Sequence, residues 1–121
     1  MVSEDGGKKY GISCILMAFN EEDHIEAAFL TCKEAMMLSG KIAEAEFFLV
    51  DDGSVDATRE RMNEIASKED NVTVVTSDTN RGQGYSLKSC IPLCNFDHVN
   101  LTFGRLPPYE VTQYMEFYSK V

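Results

Sequence analysis

Basic residues are scarce: 11 Lys and Arg stand against 20 Asp and Glu, a formal net charge of -9. Binding the phosphate backbone of DNA or RNA needs clustered cations, so the balance argues against a nucleic-acid partner. It argues equally against a polybasic membrane anchor. No apolar run approaches the roughly 20 residues of a spanning helix. The opening residues, Met1 to Lys9, are polar and lack the apolar core of a signal peptide. They read as a flexible leader over residues 1–10 of a cytoplasmic chain. The four cysteines, Cys14, Cys32, Cys90 and Cys94, form no CxxC pair. His24 and His98 have no Cys or His companions at useful spacing, so no metal ligand set is visible. The cysteines read as buried, reduced thiols acting as small hydrophobes.

What is present is a core and a rhythm. Hydrophobic residues make up 44% of the 121, enough for one domain over residues 11–121. Ile12 to Met17 is a short apolar run, read as a strand buried on both faces. Asn20 stands where a helix N-cap belongs, with Glu21, Glu22 and Asp23 in the first turn. Ile25, Ala28, Phe29, Cys32, Ala35 and Met36 follow at helical spacing, and Gly40 closes the helix. Phe47 to Val50 is a second buried strand. Ser54 is a candidate cap for a helix bearing Met62, Ile65 and Ala66. Asn71 to Thr76 is a β-branched strand. Leu87, Cys90, Ile91 and Cys94 mark a third helix, kinked or stopped near Pro92. Val99, Leu101 and Phe103 alternate with His98, Asn100 and Thr102 in a fourth, half-buried strand. Pro107 and Pro108 suit the start of a last helix with Val111, Tyr114, Met115 and Tyr118 on its face. The βαβαβαβα order predicts an α/β, Rossmann-like three-layer αβα fold with a mostly parallel sheet. Ligands in such sheets bind at the carboxyl ends of the strands.

Three of those strand ends carry motifs. The first loop reads Met17-Ala18-Phe19-Asn20-Glu21-Glu22. The second reads Asp51-Asp52-Gly53-Ser54-Val55-Asp56-Ala57-Thr58, and the third Asn80-Arg81-Gly82-Gln83-Gly84. In this order the three resemble family 2 glycosyltransferases of the GT-A type, whose pattern runs P-x-x-N-E, V-D-D-G-S-x-D-x-T and N-x-G. The resemblance covers about residues 11 to 104 and implies the N-terminal, nucleotide-sugar-binding half of such a domain. It implies a strand order of 3-2-1-4 and a UDP- or GDP-sugar as ligand. By the same resemblance, Asp51 accepts N–H groups of uracil or guanine, with Asp52 beside it and Leu49 lining base or ribose. Phe19 offers the base a flat apolar contact, and Glu21 holds a ribose hydroxyl or orients its loop. Arg81 adds a cation near the phosphates, while Gly82 and Gly84 allow close backbone approach.

Plainer readings stand beside these. Ser54, Asp56 and Thr58 also suit a tight turn and a helix cap. Asn20 suits a cap, Glu21 a helix dipole, Arg81 a surface ion pair and Phe19 simple packing.

The sequence also departs from the family pattern. An active member carries a D-x-D-like motif after the fourth strand, holding Mg²⁺ or Mn²⁺ against the diphosphate. Here that place reads Thr102-Phe103-Gly104-Arg105-Leu106-Pro107-Pro108, and Arg105 stands where an Asp is expected. Met17 replaces the pattern's proline. No metal ligand, no catalytic base and no acceptor half can be assigned, so sugar transfer by this chain as it stands is not expected. The alternative is a non-catalytic binding or assembly module on a degenerate glycosyltransferase fold. A receiver-type signalling domain fits poorly, because its acidic pair follows the first strand. A dinucleotide-binding Rossmann domain fails, because the first loop has no glycine. The fourth strand, undefended by Lys, Glu or Pro, and the last helix predict a homodimer.

Overall fold

A computed structural model describes residues 10–103 of the chain. Four parallel strands form one sheet in the order β3-β2-β1-β4. They are β1 (Tyr10–Ala18), β2 (Ile42–Asp52), β3 (Val72–Ser77) and β4 (His98–Phe103), joined through α1 (Ile25–Leu38), α2 (Thr58–Lys68) and α3 (Gln83–Cys90). The expected α/β architecture and strand order are therefore observed. The expected last helix, with Tyr114 and Tyr118, lies outside the described residues, as does Arg105. The leader was expected to reach residue 10, but Tyr10 already belongs to β1, paired with Ile42 of β2.

β1 is central, and its alternating side chains feed two cores. Ile12, Cys14, Leu16 and Ala18 meet α1 and α2 through Ile25, Phe29, Cys32, Met36, Met62 and Ile65. Ile15 and Met17 face the other way, where Phe48, Val50 and Cys90 close a smaller core under α3. This explains the near-continuous apolar run in β1: a strand covered on both faces has no solvent side. Phe29 and Phe47 meet edge to face at 5.1 Å in the larger core. The cysteines are free; Cys14, Cys32 and Cys90 are buried, whereas Cys94 is half-buried. Burial pushes the Cys90 thiol up to about 12, which makes it inert at neutral pH.

Two local readings of the sequence need correction. The stop expected near Pro92 is observed, but it comes before Ile91: α3 ends at Cys90 and a 3₁₀ turn takes Ile91–Leu93, so Ile91 and Cys94 are not on the helix face expected for them. Ile91 is consequently exposed rather than part of an apolar helix face. In β4 the alternation is real, but the polar set is the buried one. Asn100 and Thr102 pair with Cys14 and Leu16 and share their face of the sheet. Asn100 Nδ2 lies 3.5 Å from Cys14 Sγ. Val99, Leu101 and Phe103 lie on the α3 side and remain about 40% exposed. The cause is register: parallel pairing to β1 fixes which residues share the face under α1, whatever their polarity.

The entry to β4 is tied down by polar contacts. Ser13 Oγ donates to Glu46 Oε2, and Glu46 also accepts from the backbone and side-chain amides of Asn95. Gly11 is needed nearby, since a Cβ there would stand 2.2 Å from the Phe96 ring.

The inverted face of β4 gives a direct expectation. Thr102→Asp places an unpaired charge at a site that is 3% exposed and should cost about 3 kcal/mol or more. Leu101→Asp, at a site that is 40% exposed, should cost about 1 kcal/mol or less. Urea unfolding of both variants checks the order, and a larger loss in Leu101→Asp would overturn the register.

Candidate functional site

The second motif loop works first as a receiver for the first. Asn20 has φ 53, a left-handed conformation that asparagine tolerates. Its backbone N–H donates to Ser54 Oγ at 2.9 Å, and its Oδ1 accepts the Val55 N–H at 2.9 Å. The Glu21 N–H donates to Thr58 Oγ1 at 2.8 Å, and the Glu22 N–H to Asp56 Oδ2 at 3.4 Å. Three consecutive amides that precede α1 thus find partners in three polar side chains of the D-G-S-x-D-x-T segment. Asn20 and Ser54 are therefore not helix caps: the residues preceding α1 and α2 are His24 and Ala57. Asp56 Oδ1 takes the Thr58 N–H at 2.9 Å and so serves the first turn of α2.

Gly53 follows from the same packing. Its φ is +78, and a Cβ there would sit 2.4–2.5 Å from the backbone of Thr79 and Asn80. The third loop is pressed against the second at this point. Asp52 fixes it there: Oδ1 accepts the Arg81 N–H at 2.9 Å and Oδ2 the Gly82 N–H at 3.0 Å. Gly82 itself has φ +90.

The adjacent acids divide their work. Asp51 is fully buried; Oδ1 accepts the Ser54 N–H at 3.0 Å and Oδ2 the Arg59 Nε–H at 2.9 Å. Arg59 continues to the Ser77 carbonyl at 3.1 Å, tying the ends of β2 and β3. Asp52 instead lines a cavity of about 290 Å³ at the carboxyl ends of β1, β2 and β4. Met17, Ala18, Phe19 and Glu21 contribute from β1 and its loop, Gln83 and Ser86 from α3, and Phe103 from β4.

Of the residues singled out from sequence, Phe19, Glu21 and Asp52 are brought together at this cavity. Asp51 and Leu49 are not, because both point into the protein and are fully buried. Arg81 is exposed, and its guanidinium stacks on the Tyr85 ring at 4.9 Å. Gly82 contributes its amide to Asp52. Gly84 has open space around it. Glu21 Oε2 lies 3.0 Å from His24 Nδ1, which holds the carboxylate at the mouth of α1. Sequence reasoning missed Gln83, Ser86 and Phe103 as cavity residues. The signal was their position: each sits at a strand end or in the first turn of a helix on the ligand-binding side of the sheet.

The sequence model of glycosyl transferase family 2 matches residues 13–99. The chain belongs to that family. Its fold is similar to the mannosyltransferase PcManGT from Pyrobaculum calidifontis, solved in complex with GDP-Man and Mn²⁺, with a TM-score of 0.75 at 22% identity. The match covers 96% of this chain but 34% of that one, so the chain spans about a third of its structural relative. No curated protein matches the sequence. In this family 2 glycosyltransferase domain the D-D-G-S-x-D-x-T signature is thus mainly a loop organiser, with a single carboxylate, that of Asp52, left facing the cavity. Among the described residues no group of three His, Cys, Asp or Glu side chains could hold a metal ion, and no helix is long and apolar enough to cross a membrane.

Three measurements test this division of labour. Asp51→Ala should lose about 3 kcal/mol in urea unfolding, since it strands Arg59 and the Ser54 amide. Gly53→Ala should lose about 2 kcal/mol or more, from its positive φ and from the backbone contact. A loss under about 0.5 kcal/mol in either would contradict the geometry. Acid should also loosen the clasp. Burial pushes the Asp56 carboxyl up, but hydrogen bonds from the Thr58 side chain and amide and from the Glu22 amide outweigh it and hold it below the usual aspartate value. Glu46 is likewise raised by burial but held low overall by Ser13 and Asn95. A carboxyl lowered by folding stabilises above its unfolded value and loses that contribution as pH falls through its folded value. Thermal midpoints should therefore fall below about pH 4, and Asp56→Asn should flatten that acid limb. An unchanged limb would show that Asp56 carries none of it.

Proposed function

We propose that the cavity beside Asp52 binds the nucleoside part of a UDP- or GDP-sugar. The observation that carries the reading is the Asp52 carboxylate, buried, fixed by two backbone amides and facing a cavity at the strand ends. Each of its oxygens accepts one amide and keeps a second lone pair, so it can accept an N–H from a base. Phe19 and Phe103 supply apolar walls, and Glu21 supplies a second acceptor for ribose hydroxyls. A volume of about 290 Å³ lies at the low end of the usual range for small-molecule sites, which suits a nucleoside better than a whole nucleotide-sugar. The family assignment and the GDP-Man-bound relative support the same ligand class. Leu49 and Asp51 support this site from beneath, and Arg81 joins it through its backbone amide, held by Asp52.

The metal that the family implies finds no full donor set among the described residues. Asp52 and Glu21 are the acids lining the cavity, and Arg105 occupies the sequence position where an acid is expected. The role proposed for this cavity is nucleoside binding. The β4 edge, with Val99, Leu101 and Phe103 exposed beside it, supports self-association through this strand.

Isothermal calorimetry with UDP and GDP tests the reading. One of the two should bind the wild type weakly, in the micromolar to millimolar range, and Asp52→Ala should weaken it at least about tenfold, or 1.4 kcal/mol. Added Mn²⁺ should change the affinity by less than about tenfold. No heat from either nucleotide at millimolar concentration, or an affinity indifferent to Asp52, would overturn the proposal.

A further inference from the structure

Ser86 sits in the first turn of α3, on its buried face. It is 3% exposed, and its Oγ is the one buried side-chain oxygen or nitrogen among the described residues without a hydrogen-bond partner. A helical serine has an easy remedy, which is to donate back to a carbonyl one turn earlier. Ser89 does so to Tyr85 O at 3.0 Å, and Ser67 to Glu64 O at 2.6 Å. Ser86 does not, although its own amide donates to Gly82 O at 3.2 Å. The residue lines the same cavity as Asp52. An unpaired buried hydroxyl destabilises a fold, and alanine is the better helix former at such a position. Pairing with a ligand removes that penalty.

We propose that Ser86 is a specificity-determining residue of the cavity, donating its hydroxyl hydrogen to a ligand acceptor adjacent to the N–H that Asp52 receives. The pair then reads a donor beside an acceptor, which is the N–H and carbonyl edge shared by uracil and guanine. Asp52 supplies acceptance only, while the serine supplies the donor that a carboxylate cannot. A pocket that commits both groups rejects a ligand lacking either partner, because a buried polar group is then left unpaired. The inference rests on the nucleotide reading above and deepens it.

The test combines two readouts on Ser86→Ala, made in the whole chain. Calorimetry with the nucleotide that binds the wild type should show affinity reduced about three- to tenfold. The thermal midpoint of the free variant should be unchanged or raised, since the substitution removes an unpartnered polar atom from a helix. UDP methylated at N3, or GDP methylated at N1, should bind the wild type more weakly than its parent. Wild-type affinity retained in Ser86→Ala, while Asp52→Ala still loses it, would overturn the serine's role and leave the nucleotide reading standing. A lowered midpoint with unchanged affinity would make Ser86 purely structural. Failure of the wild type to bind either nucleotide would defeat both inferences.

Discussion

The clasp between the first and second motif loops is the constraint on which the site depends. The backbone amides of Asn20, Glu21 and Glu22 are held by Ser54, Thr58 and Asp56. Without these partners, three polar groups at the start of the α1 approach would compete for water, and the loop would have many conformations. With them, the chain turns sharply off β1 and sets Phe19 and Glu21 over the sheet edge. The clasp uses short side chains, which lose little entropy on ordering. It therefore imposes geometry cheaply.

The third loop is added to this pair by a different device. Gly53 lets the backbone at Thr79 and Asn80 come close enough for Asp52 to take two successive amides. The same carboxylate that positions the loop is the one left facing the cavity. Asp51, one residue earlier, points the opposite way, because successive side chains of a strand alternate. Its pairing with Arg59 is an interior support that anchors the ends of β2 and β3. One dipeptide thus serves two faces: a structural ion pair below and a cavity-facing acceptor above.

Much of this was legible in the sequence, and the exceptions have physical causes. The apolar runs of β1 and β2 and the helical spacing of Ile25 to Met36 specify the layers without ambiguity, because burial on both faces leaves a clear pattern. The motif loops could be placed at strand ends for the same reason. Which of Asp51 and Asp52 faces the cavity could not be read, since it depends on where β2 ends. β2 runs through Asp52 rather than stopping at Val50. Asn20 and Ser54 looked like helix caps because a cap and a loop clasp use the same residue types. The buried face of β4 was misleading, since pairing with β1 outranks polarity at Asn100 and Thr102. Ser86 carried only the signal of its position in the first turn of α3; its missing partner, visible in three dimensions, is what separates it from the other serines.

The three clasped loops, with the start of α3 and the end of β4, surround the cavity proposed to hold the nucleoside. Amide chemical-shift mapping during titration with UDP and GDP tests that placement most directly. The largest shifts are expected at Phe19, Glu21, Asp52, Gly82 and Ser86, all on the side of the carboxyl ends of the strands. Shifts concentrated at the opposite end, in the acidic hollow around Glu44, Asp70 and Asn95, would contradict it.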